Sequence, residues 1–361
     1  MENKNAKKVG LILLSSLAIL FFLYKKTNPK EMGRVLQRTD HRFLILAFLS
    51  FLAYLFFEAI SYRYLLKKFH YPISIRRSWA YAFVDYFFSI ITPGGSGGQP
   101  GQLYFMLRDG ISPGACMMSL FPFNMVYHIC LATMSLFFVF HPASEPVRRS
   151  LLRPFIVYGI GAQLFFVILL MLFTFSENKV LKMVKKLFSF IGKIPLLKRL
   201  TKYEERLDRS MGEYQECTVE LKKEPLVFIY LIPMIFMMLI CSYSIPYWVY
   251  RALGYDQLNF IEILAIQTLI IVAVESVPIP GSLGITEAGM LDVLSKITNP
   301  SGAFTWMFLN RVSTLYFGLL LGGIVLTTMK KRVIERENPL EEHRKKRSIG
   351  GRRTINDEVK S

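Results

Sequence analysis

The residues of this 361-residue chain that are best suited to chemistry or ligand binding are ionisable side chains in or beside long apolar segments. They are Glu58, Asp85, Glu262, Glu275, Glu287, Asp292 and Arg311. A charge at mid-membrane costs about 2.5–3.5 kcal/mol on insertion scales, so such a residue usually faces a polar interior and has a role. Structural pairing is the alternative, since Glu275 or Glu287 could neutralise Arg311.

Four polar residues in these segments are expected to be less informative about function. Glu58 and Glu262 are expected near the membrane interfaces. His128 and Asn124 are expected to be packing groups whose hydrogen bonds are satisfied locally.

Two Pro/Gly-rich stretches interrupt the apolar sequence, TPGGSGGQPGQ at 92–102 and SVPIPGSLGITEAG at 276–289. A P-loop is excluded because the first stretch has no lysine, and a dinucleotide fingerprint fails at Pro100. Non-helical backbone at membrane depth must be buried in protein or line a wet cavity. The exposed N-termini of half-helices suit an anion such as phosphate. The alternative is that the glycines only permit close helix packing.

The composition places the chain in the membrane, because 52% of its residues are hydrophobic. Apolar runs near the roughly 20 residues needed to cross a bilayer recur along its whole length. Full spans are predicted near 9–24, 43–66, 114–140, 153–175, 225–250 and 301–329. Segments 79–91 and 258–277 instead run into the Pro/Gly stretches, which predicts two re-entrant hairpins. The predicted fold class is an all-α polytopic integral membrane protein.

The two Pro/Gly stretches stand in corresponding positions of two halves of the chain. An offset of 187 residues aligns Pro93 with Pro280 and Gly97 with Gly284. This spacing favours an inverted repeat, with chance similarity as the alternative. Three predicted spans lie between the stretches. Hairpins 79–107 and 258–299 are therefore expected to enter the membrane from opposite sides and to meet near its midplane.

The net charge of +18 is concentrated in segments 176–224 and 330–361. The positive-inside rule and attraction to anionic lipid explain such segments better than nucleic-acid binding does. Residues 1–329 are read as one membrane domain with a cytosolic amphipathic insertion at 176–224, and 330–361 as a basic, disordered cytosolic tail. No small-residue cleavage site follows 9–24, which favours a retained anchor. The four cysteines have no CxxC spacing, so neither a metal site, a disulfide framework nor a cofactor is expected.

The two Pro/Gly motifs also resemble a known family. PIPGSLGITEAG at 278–289, with LNRVSTLYFG after it, looks like the second signature of the lysylphosphatidylglycerol synthase transmembrane region, a flippase-like membrane family. ITPGGSGGQPGQLYFMLRDGIS at 91–112 is similar to the first signature. Many relatives have a carboxylate just after the first motif's glycine, where this chain has Gly98-Gln99. That difference questions any paired-acid role of the motif.

The resemblance implies movement of a phospholipid headgroup between leaflets of the cell membrane, by a multi-pass protein. It also implies lipid metabolism and resistance to antimicrobial peptides as the context. The residues that match the signatures are Pro93, Gly97, Gln99, Gln102, Pro280, Gly281, Gly284, Glu287 and Arg311. Asp85, Arg108 and Glu275 complete the substrate-binding set predicted from charge and position.

Three functions remain open at this stage. The first is flipping of a phospholipid, with aminoacylated phosphatidylglycerol as one candidate. The second is phosphatidylglycerol lysyltransferase activity, or a membrane subunit for a separate soluble synthase; full-length relatives have a cytosolic aminoacyltransferase domain that is not expected here. The third is secondary transport of a small anion. Anionic lipid at the basic loops and a second copy of the chain are further candidate partners.

Overall fold

The computed structural model describes residues 37–92, 95–176, 204–275 and 284–329, with isolated helical positions at 34, 182 and 186. Secondary structure in these ranges is helical, and they contain no strand. The predicted span at 9–24, the tail at 330–361 and most of 176–203 lie outside the described residues. The same holds for 93–94 and 276–283, at the centres of the two Pro/Gly motifs.

Three of the six helices in the first half of the described chain begin at a side-chain cap. Asp40, Ser74 and Ser112 each accept a backbone N–H of the helix that follows, which supplies a partner for a donor that the first turn leaves free. Pro113 follows the last of these caps at a position where its missing N–H costs nothing. The helices are α1 His41–Lys68, α2 Ile75–Ile90, α3 Gly98–Arg108, α4 Pro113–Phe138, α5 Glu145–Arg148 and α6 Arg153–Phe175.

The second half follows the same pattern of long helices around a short pair. Asn259 and Glu262 cap each other's backbone N–H at the start of the third helix below, and Asn299 caps the last. The last helix is α-helical as far as Arg311 and has a π-helical turn over Val312–Tyr316. The helices are α7 Glu204–Lys223, α8 Leu226–Ala252, α9 Phe260–Glu275, α10 Ile285–Leu294 and α11 Pro300–Met329.

Five of these helices are long and apolar enough to cross a membrane, namely α1, α4, α6, α8 and α11. They have 23 to 30 residues. Since an α-helix rises about 1.5 Å per residue, each exceeds the roughly 30 Å of a hydrocarbon core. The five correspond to the predicted spans from 43–66 onward, so the all-α polytopic fold class is confirmed.

Helices α2 and α3 form an antiparallel hairpin that opens at one end of the bundle. Gly98 lies against Asp85 near its tip, and Arg77 forms an ion pair with Asp109 at its open end. Helix α1 also ends there, because a short connection joins Lys68 to the start of α2 at Ile75. At the same end, Lys68 pairs with Glu224, just before α8.

The glycines of the first motif allow these two helices to touch. A Cβ at Gly98 would lie 2.3 Å from Asp85 Oδ1 and 2.9 Å from the Asp85 carbonyl oxygen. A Cβ at Gly101 would lie 2.7 Å from the Phe88 ring. Close packing therefore accounts for both residues.

Helices α9 and α10 form the second hairpin, which opens at the opposite end of the bundle. Glu262 near the start of α9 and Lys296 just after α10 line one cavity with Glu145. Asp292 accepts a hydrogen bond from the backbone N–H of Leu151, in the turn between α5 and α6. Because α4 runs from the first end to the second, the two hairpins enter from opposite ends, as the repeat predicts.

The amphipathic pattern of α7 directs one face toward the bundle. Met211, Tyr214, Thr218 and Leu221, at intervals of three and four residues, are buried. The Tyr214 hydroxyl donates to the carbonyl oxygen of Phe173, and Gly114 lies against the backbone of Glu213. Helix α7 thus packs against α4 and α6 at the end where the first hairpin opens.

Gly98→Ala should destabilise the protein, because its methyl group has no room beside the Asp85 backbone. Overpacking of this kind costs about 1–3 kcal/mol. Gly161→Ala is the matched control, since nothing lies within 4 Å of a Cβ at this helical position; alanine there should be neutral or stabilise by up to about 1 kcal/mol. Thermal unfolding in detergent measures both, and equal melting temperatures for the two variants would contradict the packing.

Candidate functional site

Arg311 and Glu287 form a buried ion pair where α10 meets α11. A terminal guanidinium nitrogen of Arg311 lies 2.7 Å from Glu287 Oε1, and the two side chains are 12% and 2% exposed. Glu287 Oε2 accepts the backbone N–H of Gly284 at 2.6 Å, which caps the half-helix that follows the second motif. Gly284 has a φ of +86°, a conformation that favours glycine. One carboxylate therefore fixes both the broken helix and the arginine.

Arg311 retains hydrogen-bonding capacity beyond this pair. Its Nε atom is buried without a hydrogen-bond partner in the described part of the chain, as are Asn310 Oδ1 and Ser313 Oγ. The π-helical turn begins at the next residue, Val312, and such turns frequently occur at functional sites. A guanidinium with a free edge can donate to the oxygens of a phosphate.

A second polar cluster lies beneath the first hairpin, between α1, α2 and α3. Gln102 Nε2 donates to Glu58 Oε1 and to the carbonyl oxygen of Tyr81, each at 3.2 Å. Asp85 acts on the same carboxyl electrostatically, and the Tyr54 hydroxyl lies beside it. Glu58 and Gln102 are fully buried, whereas Asp85 is only partly buried.

The third cluster joins the end of α9 to α4 and α6. Glu275 accepts hydrogen bonds from the Tyr127 hydroxyl at 2.9 Å and from Gln163 Nε2 at 3.4 Å. Gln163 Oε1 bonds in turn to His128 Nδ1, and the histidine ring stacks on Phe166. Glu275 thus uses neutral partners on the helices around it, and Arg311 pairs with Glu287.

Two tyrosines connect the three clusters. Tyr54 lies within electrostatic range of Glu58, Asp85 and Glu275, and its ring is 6.1 Å from that of Tyr86. Tyr86 is in electrostatic range of Arg311. The clusters therefore border one polar region inside the bundle, close to the tips of both hairpins. The described residues contain no group of three or more His, Cys, Asp or Glu that could hold a metal ion.

The structure brings Asp85, Gln102, Glu275, Gly284, Glu287 and Arg311 of the predicted set to this region. Gly97 fits the hairpin by packing, since a Cβ there would lie 2.4 Å from the Thr92 side chain. Gln99 is exposed at the start of α3.

Arg108 lies at the open end of the first hairpin, where its guanidinium donates to the Tyr104 hydroxyl and sits over that ring. It is thus at the far end of α3 from the polar region. Pro93, Pro280 and Gly281 are outside the described residues.

The expectation that Glu58 lies near an interface is wrong. It is ten residues before the end of α1, which places it about 15 Å inside the helix, and it is 1% exposed. The sequence of a helix longer than the membrane requires does not define how deep a given residue lies, because the helix can be placed at several heights relative to the bilayer.

Tyr54, Tyr86, Tyr127 and Gln163 were also missed, although Gln163 could have been noticed as a polar residue within span 153–175. His128 has a satisfied ring nitrogen, as expected, but its partner belongs to the Glu275 cluster.

A cavity lies at the open end of each hairpin. The α2 cavity, of about 680 Å³, is lined by Arg76 and Arg77 and by apolar residues that include Trp79 and Met329. The α9 cavity, of about 440 Å³, is lined by Arg149 and Lys296 beside Ile266. Each cavity combines charged and apolar lining residues; Asp109 lines the α2 cavity beside Arg77, and Glu145 and Glu262 line the α9 cavity.

The fold and these clusters define a polytopic helical membrane protein with two broken-helix hairpins of opposite orientation. The family model for the lysylphosphatidylglycerol synthase TM region matches residues 9–322. The chain belongs to this family.

Two archaeal relatives resemble the chain over most of its length. A UPF0104 membrane protein of Archaeoglobus fulgidus is 26% identical over 323 residues, which cover 85% of this chain and 94% of the relative. A UPF0104 membrane protein of Pyrococcus horikoshii is 22% identical over 336 residues, which cover 91% of this chain and 99% of the relative. The shared region thus makes up nearly the whole length of both relatives.

Glu287→Gln should reduce the free energy of unfolding by about 3–5 kcal/mol, because it leaves the buried Arg311 charge unpaired. The amide oxygen can still cap Gly284, so the loss reports the charge. The double variant Glu287→Gln/Arg311→Met should recover much of the stability. Unfolding by SDS titration gives these values.

The matched control is Glu145→Gln, which breaks the exposed pair with Arg149 and should cost under about 1 kcal/mol. A double variant as unstable as Glu287→Gln alone would show that the ion pair does not control the fold at this position.

Proposed function

We propose that this protein moves the headgroup of a phospholipid across the cell membrane, with Arg311 as the phosphate-binding group at the middle of the route. The observation on which this proposal depends is a buried guanidinium, already neutralised by Glu287, that keeps an unused donor edge in a polar region. Burying a charge in such a position is energetically costly, and a methionine could fill the same volume. The arginine is therefore expected to have a function.

The arrangement of the hairpins supports a route from one leaflet to the other. Their open ends lie at opposite ends of the bundle, each beside a cavity with apolar walls and charged residues of both signs. The polar clusters occupy the interval between these cavities. A headgroup bound at one cavity therefore has polar partners on the way to the other, while its acyl chains remain in lipid.

The carboxylates of the polar region suit a headgroup that also has a positive charge. Asp85 is partly buried, and Glu275 borders the polar region inside the bundle beside Tyr127, so both can meet a ligand that enters this region. An ammonium group near them and a phosphate on Arg311 would be neutralised at the same time. An aminoacylated or zwitterionic phospholipid fits this pattern better than a purely anionic one.

Small-anion transport is the principal alternative, because facing broken helices serve solutes equally well. The mixed lining of both end cavities favours the lipid, since a small inorganic anion gains nothing from Trp79 or Met329. A synthase role requires lysyl transfer by the purified chain or by a soluble partner bound to it, and the lipid assay below includes that arm.

Arg311→Lys should slow lipid movement by about 10- to 100-fold, because it keeps the positive charge but loses the fork that holds two phosphate oxygens. The magnitude corresponds to one charged hydrogen bond of roughly 1.5–3 kcal/mol. The assay uses purified protein in liposomes with headgroup-labelled phospholipids and a membrane-impermeant quencher outside. Anionic, zwitterionic and lysyl-modified headgroups are compared.

Arg153→Gln is the matched control, since Arg153 is exposed at the start of α6 and belongs to none of the clusters. The Glu287→Gln/Arg311→Met variant tests the loss of charge without an unpaired partner. Quenching that stays at half the label in wild type, or wild-type rates in both Arg311 variants, would refute the proposal. Transport of inorganic phosphate without any lipid movement would establish the small-anion alternative. Formation of lysyl-lipid would establish the synthase.

A further inference from the structure

Glu58 and Gln102 face each other beneath the first hairpin, and neither is among the groups proposed above to bind the phosphate or the ammonium. Glu58 is 1% exposed and Gln102 is 0% exposed. Gln102 Nε2 donates to Glu58 Oε1 and to the carbonyl oxygen of Tyr81. Since a backbone carbonyl only accepts, Tyr81 fixes which end of the amide is the nitrogen and directs Gln102 Oε1 away from it.

Two acceptor atoms of this pair have no donor within hydrogen-bonding geometry in the described part of the chain, although the hydroxyls of Tyr54 and Tyr62 lie beside the pair. Glu58 Oε2 and Gln102 Oε1 are both buried and have no hydrogen-bond partner among the described residues. Each orphan acceptor costs about 1–3 kcal/mol. One proton on Glu58 Oε2 removes both costs, because the acid O–H then points to the amide oxygen while the amide N–H points to the acid carbonyl.

The groups around this pair offer no positive charge in place of that proton. The titratable neighbours that act on Glu58 are Asp85 on α2 and the Tyr54 hydroxyl on its own helix. Tyr62 lies next to Gln102, and its ring stacks on Phe123 of α4. The Tyr81 hydroxyl is bonded to Asp109, at the open end of the hairpin.

The more distant groups lie nearer to other carboxylates. Tyr127 and Tyr243, from α4 and α8, face Glu275, and Arg311 is paired with Glu287. A metal cation would require several oxygen ligands, and the described pair provides two orphan oxygens.

We infer that Glu58 is the binding site of a single exchangeable proton, and that this proton couples lipid movement to a pH gradient. The inference rests on the proposed lipid transport for its coupling, but the proton site itself does not depend on it. On release, the Glu58 Oε2–H bond breaks and the proton passes to the carboxylate of Asp85, which is partly exposed beside Gly98, and then to water.

Proton loss provides the coupling to movement. Deprotonated Glu58 presents an anionic oxygen to Gln102 Oε1 and adds a second negative charge beside Asp85. The first change weakens the contact between α1 and α3, and the second weakens the contact between α1 and α2, so proton loss loosens the packing of the first hairpin on α1. The proton thus biases the position of the hairpin whose tip borders the phosphate site.

The test compares wild type with Glu58→Gln, which imitates the protonated acid and can keep both hydrogen bonds to Gln102. In liposomes with a pH gradient, wild type should shift the steady-state ratio of inner to outer labelled lipid by up to about tenfold per pH unit if one proton moves per lipid. Glu58→Gln should show no dependence on the gradient. Its rate at equal pH is measured in parallel, so that a slow variant is not taken for an uncoupled one.

Infrared difference spectroscopy of the purified protein measures the proton without any transport. A protonated-carboxyl C=O band that changes with pH in wild type, and is lost in Glu58→Gln but kept in Glu216→Gln, is the expected result. Glu216 is an exposed residue of α7 and serves as the matched control.

No such band in wild type would overturn the proton site. Lipid movement in wild type that ignores the pH gradient, or follows a sodium gradient instead, would overturn the coupling and leave the lipid function standing. A Glu58-dependent band in a protein that moves no lipid would confirm the proton site and refute the lipid function.

Discussion

The structure depends on the requirement that a broken helix in an apolar bundle must find every hydrogen-bond partner within the protein. Glu287 supplies one such partner where the helix restarts after the second motif. One of its oxygens caps the half-helix at Gly284 and the other neutralises Arg311. The same carboxylate therefore permits the helix to restart and permits a guanidinium to stay inside the bundle. In a continuous helix, the Gly284 N–H would not need Glu287 as a partner. Without Glu287, the buried charge of Arg311 would not be neutralised.

The first motif differs, because its helices pack closely and one side-chain amide bonds to the backbone. Its helices touch where Gly98 and Gly101 leave room for Asp85 and Phe88, and the Gln102 amide crosses to the backbone of α2. No ion pair is needed at this tip. The two hairpins are thus alike in topology and different in chemistry, since the Glu287–Arg311 ion pair lies beside the tip of one and the carboxyl groups of Glu58 and Asp85 lie beside the other. The 187-residue offset relates their positions and does not extend to their polar groups.

Much of the fold could be predicted from sequence because apolar length and Pro/Gly breaks are local signals. Five described spans, two hairpins and their opposite orientations follow from counting alone. The ion pair between Glu287 and Arg311 was also among the expected pairings. Glu58 was not placed correctly, since α1 is longer than a membrane needs and its sequence does not define the register. Tyr54 and Tyr86 resemble ordinary core aromatics until three-dimensional packing sets their hydroxyls between separate charge clusters.

The separation of the two charge systems has a mechanical consequence. Arg311 is held by its ion pair with Glu287, which is separate from the Glu58–Gln102 pair. Glu58 and Gln102 lie at the contact between a long span and a short hairpin of 16 and 11 residues, which is the smaller body and the easier one to move. A site that binds phosphate should be fixed, because preorganised donors bind more tightly. A site that converts a proton into movement must instead join two bodies, and the Glu58–Gln102 contact does so.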